Sequence, residues 1–214
     1  MTLLSTRDEA QRQPQLTRAD WIEAGLAALL AEGIEAVQIT QLARRLAVTR
    51  GSFYWHFESR EALLDALLAE WRARNTGVML AAVEAAPSLA EGILELFSVW
   101  VDHLRFDPRL DQAVRDWARR AEPVREIVAA EDRSRVGAIA GLFERHGYEP
   151  TEAFIRARVI YFTQVSYYAL GIEEPMTERM SYLAAYYKSF TGETIDEALA
   201  AAVCACLVRA EPET

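Results

Sequence analysis

From Thr17 to about Val208 the hydrophobic positions recur at three- and four-residue intervals, and no segment shows the two-residue alternation of a half-buried strand. The stripe Ile22, Leu26, Leu29, Leu30 predicts a first helix, opened by Thr17 with Asp20 three residues on and closed at Gly33. ITQLARRL fits a short second helix, with Leu42, Ala43 and Leu46 inward and Arg44 and Arg45 outward. Ala47-Val48-Thr49 then makes a tight turn, and Thr49 is placed to cap a third helix from Arg50 to about Phe57. Phe53 and Phe57, four apart, give that third helix its buried side.

Ser59 caps a long fourth helix carrying Leu64, Leu67, Leu68 and Trp71 and fading by Ala86-Pro87. Ser88 opens a fifth helix to about Arg105, and Asp107-Pro108 a sixth with proline in its first turn. A seventh runs from near Glu122-Pro123 to His146-Gly147, an eighth over residues 150 to 171 and a ninth over 177 to 190. Thr194 and Glu197 have the spacing of a capping box for a tail helix to about Val208. These ten helices with short connections predict an all-α protein. Its organisation is a polar N-terminal arm (1–16), a three-helix unit (17–60) and a larger helical domain (61–214).

Two short helices joined by a three-residue turn make a helix-turn-helix, whose second helix fits the DNA major groove. Consecutive helical side chains point ~100° apart, so Tyr54, Trp55, His56 and Phe57 cannot all face one core. With Phe53 and Phe57 inward, the third helix leaves Arg50, Ser52, Tyr54, Trp55 and His56 on its end and flanks. Arg50 can bond both acceptors of a guanine edge, and Gly51 lets backbone approach a duplex closely. Tyr54 and His56 can donate to phosphates, Trp55 can pack on sugar or a thymine methyl, and Arg60 can clamp a phosphate.

Charge distribution agrees with this use better than net charge does. The chain carries a formal charge of −9, which opposes docking on phosphates. Residues 38 to 60, however, hold Arg44, Arg45, Arg50 and Arg60 against Glu58 alone, a local positive footprint. In the arm, Arg7 and Arg12 are offset by Asp8 and Glu9, a weak basis for reaching a minor groove.

At this point residues 16 to 65 resemble the DNA-binding domain of the TetR family of bacterial transcriptional regulators. The resemblance lies in the apolar first helix ending at Gly33, in ITQLARRLAVTRGSFYWHF, and in SREALLDAL opening the next helix. It implies a DNA-contacting set of Ile39, Thr40, Arg44, Arg50, Gly51, Ser52, Tyr54, Trp55, His56 and Arg60. Two positions depart from the family pattern: Gln38 stands where a capping threonine is common, and Ala47 replaces the usual turn glycine. An alanine in a left-handed turn carries strain.

In the larger domain, TEAFIRARVIYFTQVSYYALG is apolar nearly all round, as in a helix buried on two sides. The resemblance implies a homodimer through this helix and the next, with Ile155, Val159, Val165, Tyr168, Tyr182 and Tyr186 at the interface. Two recognition helices about one DNA turn (~34–36 Å) or more apart then read a palindromic double-stranded operator. It also implies a small-molecule effector, apolar or aromatic, with Phe97, Trp100, His103, Phe106, Trp117, Phe143, Tyr161 and Phe162 as candidate pocket residues. Tilting of the long fourth helix would part the two heads and release DNA.

The reading is a ligand-responsive regulator, a repressor released by its effector. The alternative is an all-α small-molecule binding protein with a vestigial helix-turn-helix, in which Arg50→Ala would change nothing. An enzyme is not expected: the three histidines are scattered, and neither a phosphate loop nor a nucleophile–base motif is present. No metal or cofactor is expected either, and Cys204 and Cys206, two apart on a helix, point to different sides. No apolar run reaches the ~18 residues of a membrane span, and MTLLSTRDEAQRQPQ lacks the apolar middle of a signal peptide, so the expected location is the cytoplasm.

Overall fold

A computed structural model describes residues 16–209, and all regular structure among them is helical. The predicted N-terminal arm, with Arg7 and Arg12, lies outside the described residues, as does the side chain of Cys206. Packing divides the chain between Leu67 and Leu68 into a smaller and a larger unit.

In the smaller unit, α1 spans Arg18–Glu32. The Thr17 hydroxyl accepts from the Asp20 amide, and the Asp20 carboxylate accepts from the Thr17 amide at 2.6 Å. This reciprocal pair satisfies two amides at the helix start. Gly33 ends the helix at φ 83°, a left-handed value open to glycine. A single 3₁₀ turn, Ile34–Ala36, leads to α2 (Ile39–Arg45) and then α3 (Arg50–Phe53).

The helix α3 is shorter than expected, because beyond Phe53 the chain closes as turns, with the His56 amide donating to Phe53 O at 2.9 Å. Thr49 precedes α3 in extended conformation but makes no side-chain cap. Trp21, Leu26, Leu29, Leu42, Phe53 and Phe57 form the interior. The Phe53 ring meets Trp21 edge-on at 5.2 Å and stacks on Phe57 at 5.5 Å.

The boundary lies within α4 (Arg60–Trp71), whose start is capped by the Ser59 hydroxyl at 3.1 Å from the Ala62 amide. Leu63 and Leu67 are fully buried, and a Cβ on Gly25 of α1 would stand 3.0 Å from Leu67. The first two turns of this helix therefore pack with the helix-turn-helix, which moves the boundary past the expected residue 60.

In the larger unit, the end of α4 passes into a π-helical turn, Arg72–Gly77, and then α5 (Val78–Glu84). The helical run to residue 84 matches the predicted long helix, with one widened turn that hydrophobic periodicity does not reveal. That turn points Asn75 and Thr76 inward, 0% and 5% exposed. α6 (Leu89–Val101) is capped by Ser88, and α7 (Pro108–Ala118) by Asp107, whose carboxylate accepts from the Arg109 and Leu110 amides. α8 (Glu122–Arg145) ends before Gly147 at φ 89°, and α9 covers Pro150–Ala169.

The predicted ninth helix is broken at Tyr182 into α10 (Met176–Ser181) and α11 (Leu183–Thr191). The tail helix α12 (Glu197–Arg209) is capped by Asp196, which accepts from the Leu199 amide at 2.9 Å, in place of the expected Thr194. Leu96, Val99, Trp100, Phe143, Ile160 and Leu183 sit at the centre of this unit's core. No helix among the described residues is long and apolar enough to cross a membrane.

Candidate nucleic-acid interface

Between α2 and α3 the chain reverses within four residues. The Val48 amide donates to Ala43 O at 2.9 Å and the Ala47 amide to Arg44 O at 3.2 Å. Ala47 takes φ 56°, and no other non-glycine residue among those described has positive φ. Alanine here adopts the left-handed conformation that glycine takes freely, at a steric cost. Gln38, the other departure, makes no cap to α2; its side-chain Nε2 donates instead to Glu35 O.

Burial of Phe53 and Phe57 dictates what α3 and the following turn expose. Trp55 is 87% exposed and Tyr54 54% exposed, while Ser52 and His56 are half-buried. Thr40, Arg44, Arg50 and Gly51 are exposed and Ile39 half-buried. Arg44 and Arg50 make no ion pair among the described residues, whereas Arg45 is bound to Glu32 at the end of α1. A Cβ on Gly51 would meet only Thr49 Oγ1, at 3.6 Å. The head's own packing therefore does not require a glycine there.

Arg60 is engaged within the head itself. Its Nε donates to Val37 O at 2.6 Å and its Nη2 to Ile34 O at 3.2 Å. The guanidinium is thereby half-buried as a clamp on the 3₁₀ turn. Its position at a helix start suggested a phosphate ligand, because sequence does not show carbonyls 23 and 26 residues upstream.

Residues 22–67 match the family model for bacterial regulatory proteins of the tetR family. The smaller unit therefore carries a DNA-binding domain of the TetR type. Over 63 residues it is 40% identical to the HTH-type transcriptional regulator TtgR of Pseudomonas putida, covering 29% of this chain and 28% of that protein. Over 61 residues it is 38% identical to the class D tetracycline repressor protein of Escherichia coli, covering 28% of each. The matched segment thus spans about a quarter of these relatives' length.

Across most of the fold, this chain resembles the ketosteroid transcriptional regulator KstR2 of Mycobacterium tuberculosis, with TM-score 0.62 and 18% identity over 86% of this chain and 98% of that one. It likewise resembles the fatty acid degradation regulator FadR of Bacillus halodurans, with TM-score 0.56 and 16% identity over 94% and 97%. At this identity the likeness is one of fold.

The eight aromatic and imidazole residues expected around a pocket in the larger unit do not converge. Phe97 and Trp100 line a small cavity between α6, α9, α10 and α11. Phe106 stacks on Tyr168 at 5.8 Å, Phe143 meets Tyr148 edge-on, and Trp117 is buried on α7. His103 is exposed in the turn after α6. Tyr161 and Phe162 are sequence neighbours with opposite fates: Tyr161 is 2% exposed and Phe162 43% exposed.

The expected interface residues also divide. Ile155, Val159 and Tyr182 are exposed. Val165 and Tyr186 pack partly against the core, and the Tyr168 hydroxyl donates to Trp100 O at 2.6 Å, so these three are turned inward. Phe154 and Phe162 join Ile155 and Val159 on the exposed face of α9, and the Arg158 guanidinium lies over both rings, at 5.5 and 5.3 Å.

Sequence reading missed a buried ionic cluster. Asp111, 2% exposed, accepts from Trp71 Nε1 at 2.9 Å, Arg115 Nε at 2.8 Å and Arg135 Nη1 at 3.0 Å. Arg115 also grips Asp132 with both terminal nitrogens, and the Tyr161 hydroxyl donates to Asp132 at 2.6 Å. Arg135, 1% exposed, reaches Thr76 of the π turn at 3.0 Å. Burial works to raise the Asp111 pKa, but the Arg135 and Arg115 charges and the bonds from Arg115 and Trp71 outweigh it and hold the carboxyl below its usual range. The i,i+4 spacing of Asp111 and Arg115 was the available signal, and it reads equally well as a surface pair.

Proposed function

We propose that this chain is a ligand-responsive transcriptional regulator that binds a palindromic operator as a homodimer and is released from it by a small apolar effector. The observation that carries the DNA-binding half is the exposed set Arg50, Gly51, Tyr54 and Trp55 on the second element of a helix-turn-helix. Trp55, left 87% exposed, and Arg50, which makes no ion pair among the described residues, take no part in the head's core. Both side chains suit a duplex: arginine for a guanine edge, indole for sugar or a thymine methyl. Thr40 and Arg44 on α2 and Ser52 and His56 on the α3 side supply phosphate donors around them.

The dimer reading rests on the exposed apolar face of α9, with Phe154, Ile155, Val159 and Phe162. Such a contiguous patch is stable in water when covered, and a second copy covers it by two-fold symmetry. Repression is the mode favoured, in line with the names of the tetracycline repressors that share the head. A small molecule bound in the larger unit shifts the protein between DNA-competent and DNA-incompetent forms by its differential affinity for the two, with α4 as the lever, and the site of action is the cytoplasm.

The test is selection of bound duplexes from a random pool at fixed, near-physiological salt. A palindrome enriched by the wild-type chain and lost with Arg50→Ala is the expected result. A folded protein that enriches no sequence, or an Arg50→Ala variant that enriches the same one equally well, refutes the reading.

A further inference from the structure

The cavity between α6, α9, α10 and α11 carries the Gln164 amide and the Arg179 guanidinium on its lining, beside the hydroxyl-bearing Thr163, Tyr167 and Tyr186. The rest of its wall is apolar, with Phe97, Trp100, Ile160, Leu183 and Phe190 all under 9% exposed. Gln164 is 6% exposed, and its Oε1 accepts from Arg179 Nη2 at 3.4 Å. Because a guanidinium can only donate, this orientation makes the Gln164 Nε2 the donor end of the amide, and that atom is buried without a hydrogen bond from the protein. Arg179, half-buried, lies 4.4 Å over the Tyr167 ring and has no carboxylate at ion-pair distance among the described residues. The half-buried Arg115 and Arg156 both reach one.

A buried amide donor and an uncompensated guanidinium at the end of an apolar space call for one acceptor-rich monoanion. A neutral acceptor would leave the cation unpaired, and a dianion would bring one charge too many into apolar surroundings. We propose that this cavity binds a small apolar monocarboxylate, its carboxylate held by Arg179 and Gln164 and its hydrocarbon laid against Phe97, Trp100 and Leu183. The proposal deepens the effector half of the reading above and rests on it for its consequence at DNA.

The space now amounts to about 20 Å³, roughly that of one water. Binding therefore requires α10 to move. This helix is six residues long, is preceded by non-helical residues 172–175, and is followed by the break at Tyr182. It carries both Met180, an unbranched side chain in the cavity wall, and Arg179, so the movement that enlarges the space takes the guanidinium with the carboxylate.

The experiment titrates the full-length chain with 1-naphthoate and octanoate, and with their neutral amides, following tryptophan emission and thermal midpoint. Saturable binding of at least one acid is expected, about tenfold or more tighter than its amide, as a charge-assisted contact implies. Arg179→Gln should weaken the acid about tenfold and leave the amide unchanged, and Gln164→Leu should act in the same direction, with helical content checked by circular dichroism. The proposal is overturned if neither acid binds, if amide and acid bind alike, or if a folded Arg179→Gln protein keeps the preference. Operator affinity is measured separately with and without the acid. Binding without a change at DNA leaves the carboxylate site standing and removes its effector role; loss of DNA binding altogether removes the regulator reading alone.

Discussion

Removing the Asp111 carboxylate should destabilise the larger unit by several kcal/mol, and the structure shows where the loss falls. Asp111→Ala deletes the acceptor of Trp71 Nε1, Arg115 Nε and Arg135 Nη1. Arg115 keeps its two-pronged grip on Asp132 at 2.7 and 3.0 Å, so its charge remains paired. Arg135 has no such reserve: 1% exposed, it is left with the hydroxyls of Thr76 and Tyr161. Stranding a buried charge in this way costs ~3–5 kcal/mol, a large part of the ~5–15 kcal/mol by which a domain is stable. The bare Trp71 indole adds to the loss without simple additivity.

The assay is urea unfolding of the full chain followed by circular dichroism, with two companion variants. Asp111→Asn keeps an acceptor oxygen but loses the charge, so it should fall between wild type and Asp111→Ala. Asp111→Leu combined with Arg135→Met removes both charges and should recover most of the loss, because apolar replacement of a buried pair is often neutral.

The pH dependence has a definite sign. The folded Asp111 pKa lies below its unfolded value of ~3.9. Its contribution is therefore fully present above that value and is lost as pH falls through the folded pKa, where the unfolded chain already holds the proton. Asp111→Asn should flatten the stability–pH curve in that acid range. A loss under ~1 kcal/mol for Asp111→Ala, or a double variant no more stable than the single, would refute the electrostatic account.

Three further outcomes follow from local geometry. Ala47→Gly should stabilise the smaller unit by ~1 kcal/mol, read as a higher thermal midpoint, since glycine holds φ 56° without the Cβ clash. Gly92→Ala should destabilise the larger unit by ~1–3 kcal/mol in denaturant unfolding. Its Cβ would stand 2.6 Å from Leu142 Cδ2 and 2.9 Å from Ala86 Cβ. If the exposed face of α9 forms the proposed dimer, the wild type should sediment as a dimer and Ile155→Glu with Val159→Glu as a folded monomer at the same concentration.

What could be read from sequence was whatever neighbours within four residues decide. The caps at Thr17, Ser59, Ser88 and Asp107 each need only a hydroxyl or carboxylate near three free amides. The outward Trp55 followed from the inward Phe53 and Phe57, because a helical pair four apart fixes the remaining directions. What failed depended on distant chain. Arg60 binds carbonyls more than twenty residues away, and the π turn exists together with Arg135, which satisfies Thr76 across 59 residues. The tail helix took Asp196 as its cap although Thr194 has the right spacing, a choice between two competent residues that spacing alone does not make.

The aromatic residues show why a pocket resists sequence reading, and α9 is the instructive case. It is apolar nearly all round, which was legible, yet its sides serve different ends. Tyr161 turns to the ionic cluster, Gln164 to the cavity, and Ile155, Val159 and Phe162 to the outside. Size and apolarity assign a ring to none of these; only the helix's rotation against α6, α8 and α11 does. The residue that gives the cavity its chemistry was therefore not among the aromatics. Gln164 is 6% exposed in the wall of a largely apolar cavity, where a buried amide is costly unless something outside the chain accepts from it. A buried amide whose donor finds no protein partner, and not the richest cluster of rings, is the signal for a ligand.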